Sequence, residues 1–216
     1  MKRTIQFLLR MVPISLVLVA FVAGFIAYPH LPDQMSTHWN IQGEADGSMG
    51  KFWGTFFAPV VMLIMYAVFL IIPRIDQKKE NIRQFRRDFD LFIVTMLVFF
   101  LYLYGLVLAW NFGYRFDFVR LLVPTLAGLF YIIGHVVGRA KQNWTIGIRT
   151  PWTLSSESVW KKTHALGGRL FKLDAIIMLG GALVPRYAFW ILFVPLVATT
   201  VFLVGYSYVI YTRERR

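Results

Sequence analysis

This chain of 216 residues should form an all-α integral membrane protein with six transmembrane helices and both termini in the cytoplasm (N-in/C-in). Three observations lead there. The composition is 57% hydrophobic and 16% charged, with a mean hydropathy of +0.58, whereas a soluble domain carries about 25% charged residues. Residues 52–73, 91–110 and 187–212 contain no Lys, Arg, Asp or Glu. Each of these runs exceeds the roughly 18 residues that cross a hydrocarbon core about 30 Å thick. The basic residues, finally, sit in short segments between apolar runs.

Taken in order, the spans are 11–28, 52–73, 91–110, 121–138, 170–185 and 187–211. The first follows Lys2 and Arg3 but is longer than a cleavable signal core and lacks an A-x-A site, so it reads as an uncleaved helix. The fifth is weakest in pattern: only 175–185 is free of charge, and Lys172 must snorkel to the surface if the helix is to cross. Pro13, Pro59, Pro124 and Pro195 fall in or near spans, where neighbouring helices accommodate kinks. Gly134 with Gly138, Ala20 with Gly24, and Gly105 with Ala109 are small-residue pairs that allow close helix approach. His135 is the ionisable group inside the fourth span and reads as a neutral, hydrogen-bonded structural side chain.

Orientation follows from charge. Of 23 Lys and Arg, 19 lie in the N-terminal tail, in 74–90, in 139–172 and in the C-terminal tail, and 4 in 29–51, 111–120 and 185–186. Positive charge resists translocation, so the first set is cytoplasmic. The net charge of +12 therefore points to the anionic inner leaflet of a lipid bilayer and to no direct nucleic-acid partner. With no Cys there are no disulfides, thiol nucleophiles or Cys-ligated metals.

Two connections carry information. The outer loop, 29–51, leaves the membrane through Pro29 and Pro32, turns at Gly43, Gly47 and Gly50, and presents His38-Trp39-Asn40. It reads as a structured lid or as a contact surface for an external ligand. His30, Asp33, His38, Glu44 and Asp46 match no standard zinc spacing, so no metal is expected. The inner loop, 139–172, contains Asn143-Trp-Thr-Ile-Gly147-Ile-Arg149-Thr150-Pro151-Trp152-Thr153. Gly147 marks a turn, Ser155 or Ser156 caps a helix with Glu157 in its first turn, and Val159, Thr163, Leu166 and Leu170 recur at helical spacing. Trp144, Trp152 and Trp160 with Lys161, Lys162 and Arg169 suggest an amphipathic element lying on the cytoplasmic interface. The sharper alternative is a docking surface anchored by Arg149 and Trp152. Ser155, Ser156 and His164 lack nucleophile-elbow or triad spacing, no Walker motif is present, and neither enzyme activity nor a cofactor is expected.

The segments Gly147-Ile-Arg-Thr-Pro-Trp-Thr-Leu154 and Val159-Trp160-Lys-Lys-Thr-His164 resemble the signature of the SdpI family of bacterial membrane immunity proteins. Tyr28-Pro29, Leu31-Pro32, His38-Trp39-Asn40, Gly43 and Asp46-Gly47 resemble the DUF1648 domain often found N-terminal in that family. The resemblance implies a multi-pass protein of the bacterial plasma membrane that protects against a secreted peptide toxin, and in some members sequesters a cytoplasmic repressor. Carried over by position, His38, Trp39, Asn40, Asp46 and Gly47 would engage an extracellular ligand. Asn143, Gly147, Arg149, Thr150, Pro151, Trp152, Thr153 and Trp160 would engage a cytoplasmic partner. The chain then divides into a DUF1648-like segment (1–73), a basic cytoplasmic loop (74–90) and an SdpI-like four-helix region (91–216). A small transporter or efflux component is the alternative, motivated by His135 and by Gly180-Gly181 in a short fifth helix.

Overall fold

The computed structural model describes the backbone of residues 2–215 and the side chains of 11–215. Six long helices carry the architecture: α1 (Lys2–Ala27), α2 (Lys51–Ile75), α4 (Arg86–Asn111), α5 (Phe118–Val137), α7 (Glu157–Leu183) and α8 (Ala188–Glu214). Two short ones, α3 (Lys79–Gln84) and α6 (Pro151–Ser155), lie in the basic connections. Helices α1, α2 and α4 pack on one another, α7 packs between α5 and α8, and contact between α4 and α5 joins the two groups. Five of the long helices are long and apolar enough to cross a membrane.

Every long helix with described side chains leaves large apolar residues uncovered. Phe25 is 66% exposed, Ile26 70% and Val201 67%. Water would penalise such faces heavily, while hydrocarbon does not, and helices are the form in which a chain satisfies its backbone there. This is a multi-pass membrane protein. Its interior is packed with Val17, Ala20, Met62, Phe89, Leu97 and Tyr104, all from α1, α2 and α4.

The structure differs from the sequence reading in three places. The outer loop is not merely a set of turns: a 3-10 turn, Tyr28–His30, leads into an antiparallel hairpin of β1 (Gln34–Trp39) and β2 (Ala45–Gly50). Among the described residues the fold is therefore helical with one small two-stranded sheet. Second, the element from 157 to 172 is not a separate amphipathic helix. It continues unbroken into the fifth segment as α7, 27 residues long, or about 40 Å at helical rise. Ser156 caps it, its side chain accepting from the Val159 amide at 3.3 Å. Third, His135 sits in the last turn of α5 and is joined there by Asp88 at 3.2 Å. Asp88 also meets Arg139 at 3.6 Å.

The small-residue pairs divide. A Cβ at Gly168 of α7 would stand 2.6 Å from the Gly134 carbonyl oxygen and 2.7 Å from Gly138 Cα, so this spacing locks α5 onto α7 within one chain. A Cβ at Gly24 would meet the Tyr104 hydroxyl at 2.7 Å, whereas one at Gly105 would meet nothing within 4 Å. Lys172 stands over the Tyr131 ring, its Nζ 5.4 Å from the centroid. Asp174 is buried in α7 beside Thr199, with its Oδ2 lacking a hydrogen-bond partner.

Candidate functional site

The hairpin gathers the outer residues. His38 pairs across the strands with Gly47, and its Nδ1 meets Asp46 Oδ1 at 2.5 Å. Both side chains are largely exposed, so water weakens the pair and it contributes little stability. A Cβ at Gly47 would press on His38 Cβ at 2.9 Å, which accounts for glycine there. Asn40 builds the turn: its Oδ1 accepts the amides of Gln42 at 3.0 Å and Glu44 at 2.9 Å. Gly43 completes it at φ +82°. Met35 and Trp39 point back into the protein, Met35 fully buried and Trp39 stacked on Phe118 at 4.2 Å and edge-on to Trp110 at 5.6 Å. Its indole Nε1 is buried without a hydrogen-bond partner.

Asn111, at the end of α4, fixes this hairpin to the bundle. Its Nδ2 donates to the Ser36 carbonyl and its Oδ1 accepts the Ser36 amide, both at 2.9 Å, as a neighbouring strand would. Beside Trp39 lies a half-open apolar cleft of about 420 Å³ between the hairpin, α4, α5 and α8. Leu103, Val107, Val123, Leu126 and Leu192 form its walls, and His38, Trp39 and Asn40 its rim. Among the described residues no group of three His, Asp or Glu stands ready to hold a metal.

The inner motif folds as a knot of hydrogen bonds rather than as an open surface. Asn143 is fully buried, its Oδ1 accepting the amides of Thr145 at 2.8 Å and Ile146 at 2.6 Å and its Nδ2 donating to the Lys141 and Ile146 carbonyls. Asp76, in the preceding basic connection, accepts from the Trp144 amide at 3.0 Å and the Thr145 hydroxyl at 2.6 Å. Gln142 donates to the Thr153 carbonyl at 2.7 Å, and its own carbonyl accepts from Asn81. Thr150 and Thr153 form a reciprocal capping box that starts α6, with Pro151 in the first turn. The Thr150 hydroxyl reaches Ser207 of α8 at 3.1 Å.

His164 holds the motif's glycine turn. The Ile148 amide donates to its Nε2 at 2.9 Å, so Nδ1 carries the proton and donates to the Trp160 carbonyl at 2.8 Å. Trp160 stacks on the imidazole at 3.8 Å and donates its Nε1 proton to the Ala140 carbonyl at 2.8 Å. Burial, opposed by the Trp160 carbonyl, pushes the His164 pKa down to about 4. Gly147, at φ +125°, passes so close that a Cβ would collide with His164 Nε2.

Trp160 is thus a core side chain, 2% exposed, and not the interfacial anchor that its spacing suggested. Arg149 and Pro151 face outward, while Trp152 rests half-buried on Tyr208 at 5.1 Å. Asn111, Asp76, Gln142 and the platform residues Trp110 and Phe118 escaped the sequence reading, because each acts across more than fifty residues of chain. A polar residue ending the apolar run of α4, at Asn111, was the one local signal.

Two family models match the chain: a domain of unknown function, DUF1648, over residues 15–63, and the SdpI/YfhL protein family over residues 139–208. Immunity protein SdpI of Bacillus subtilis (strain 168) is 30% identical over 168 residues, covering 77% of this chain and 78% of that protein. The uncharacterized membrane protein YbgB of the same organism is 35% identical over 48 residues, covering 22% of this chain and 53% of that protein. No solved structure matches it.

Proposed function

The chain belongs to the SdpI family, and from that premise we propose that it is an immunity and signalling protein of the bacterial plasma membrane, directed against a secreted amphipathic peptide. All six long helices cross the bilayer, with both termini inside. Helix α7 is less apolar than the other five because Lys161, Lys162, Arg169, Lys172 and Asp174 lie along it. It nevertheless runs beside α5 from Gly168 against Gly134 to Gly181 against Val123, so it spans wherever α5 does.

The observation that carries the proposal is the apolar cleft beneath His38, Trp39 and Asn40. On the outer face, at the lipid boundary, it takes apolar side chains of a peptide arriving from outside. The DUF1648-like segment 1–73 furnishes the rim, and the four-helix region 91–216 the wall. Helix α5 lines this cleft with Val123 and Leu126 and touches the inner motif's surroundings with Val136 and Val137. A peptide that prefers one of two α5–α7 arrangements is therefore felt at the cytoplasmic loop, where Pro151 and Trp152 meet a compact repressor.

Survival of a toxin-sensitive strain tests this. Expression of the chain should raise survival under the cognate peptide, and Trp39→Ala should abolish the gain while protein levels hold. Unchanged survival under every candidate peptide would contradict the immunity role.

A further inference from the structure

The exposed part of the inner motif has a neighbour that docking of a repressor does not explain. Thr145 through Thr150 roof a second half-open cleft of about 620 Å³, walled by Phe69, Phe92, Ile133, Phe171 and Val204. It reaches Thr200, which lies 14 residues before Glu214 on α8, or about 21 Å from the cytoplasmic end at helical rise. One leaflet's hydrocarbon is about 15 Å deep beneath a headgroup layer of about 6 Å, so a cleft running from Arg149 to Thr200 covers the depth of the inner leaflet's acyl chains. Apolar cavities do not hold water, and the apolar molecules at that depth are lipid tails.

At the mouth stands Arg149. Its Nη1 donates to the Trp144 carbonyl, which orients the guanidinium, and among the described residues no carboxylate forms an ion pair with it. Asp88, one turn before Phe92 on α4, is already engaged by His135 and Arg139. An oriented guanidinium presents a rigid fork suited to a phosphate. We propose that this cleft is a binding site for one anionic phospholipid, its acyl chain in the cleft and its phosphate on Arg149. The inference rests on the cytoplasmic placement of the motif but not on the toxin, so the two fail separately.

Native mass spectrometry of the full chain tests it, after equilibration in micelles containing equal phosphatidylglycerol and phosphatidylethanolamine. The wild type should retain phosphatidylglycerol over phosphatidylethanolamine severalfold, because both lipids carry the phosphate but the ethanolamine ammonium neutralises that headgroup and repels Arg149. Arg149→Ala should erase that preference, Arg149→Lys should keep part of it, and Val204→Trp, which fills the cleft, should lower retention of both lipids. Added phosphatidylglycerol should raise the melting temperature of the wild type and not that of Arg149→Ala, which separates lost binding from lost fold. No preference in the wild type, or an Arg149→Ala protein that retains phosphatidylglycerol as the wild type does, overturns the site.

Discussion

His164 ties two ends of the inner motif together through a single tautomer, and its chemistry sets a pH dependence. The unfolded imidazole takes a proton near pH 6.5 and the folded one near 4. Between those values the unfolded state binds more protons, so stability falls as pH falls, while above 6.5 both forms are neutral and the curve is flat. The loss by pH 4 should be about 3 kcal/mol. Thermal unfolding in detergent across pH 4–8 should show this slope, and His164→Gln should flatten it. Gly147→Ala attacks the same contact from the other side. With φ +125° and a Cβ directed into His164, it should cost about 2 kcal/mol or more by the same unfolding assay. A tolerated alanine would mean the turn is looser than this packing requires. Of the inner residues that the family resemblance marks, Asn143, Gly147, Thr153 and Trp160 are spent on holding the loop's shape. A motif read from sequence does not separate side chains that touch a partner from those that position the ones that do.

Among the elements, the α5–α7 pair is the most tightly specified. Gly134, Gly138 and Gly168 bring two backbones together, and the atoms a new methyl would strike are backbone atoms that cannot swing aside. Gly168→Ala should therefore lower the melting temperature, by the equivalent of about 1–3 kcal/mol for overpacking. Gly105→Ala, with open space before it, should be neutral or stabilising by up to about 1 kcal/mol. Equal effects at the two sites would refute the lock. Here the sequence was partly legible: the four-residue spacing at Gly134 was visible, but its partner thirty residues on was not. The hairpin was hidden for a different reason. Met35, Ser36 and Thr37 carry little strand alternation, and the register is imposed by Asn111 and by the Asn40 turn. Helix α6 was within reach, since Thr150-Pro151-Trp152-Thr153 is a capping threonine with proline at the first helical position.

For the molecule as a whole, lipid solvates most of the surface, and this was legible in the composition because it is a bulk property needing no tertiary contact. The proposed orientation rests on the segregation of 19 basic residues from 4. The clefts were not legible, since each draws on four or more elements distant in sequence. A sensor outside and a reader inside require the hairpin and the inner motif to lie on opposite faces. The chain contains no Cys, so single cysteines introduced at Glu44, Gln77 and Ser155 can be labelled directly with a membrane-impermeant maleimide. Glu44→Cys should label in intact cells, and Gln77→Cys and Ser155→Cys only after lysis. Labelling of Ser155→Cys from outside, or a Glu44→Cys that reacts only after lysis, would contradict it.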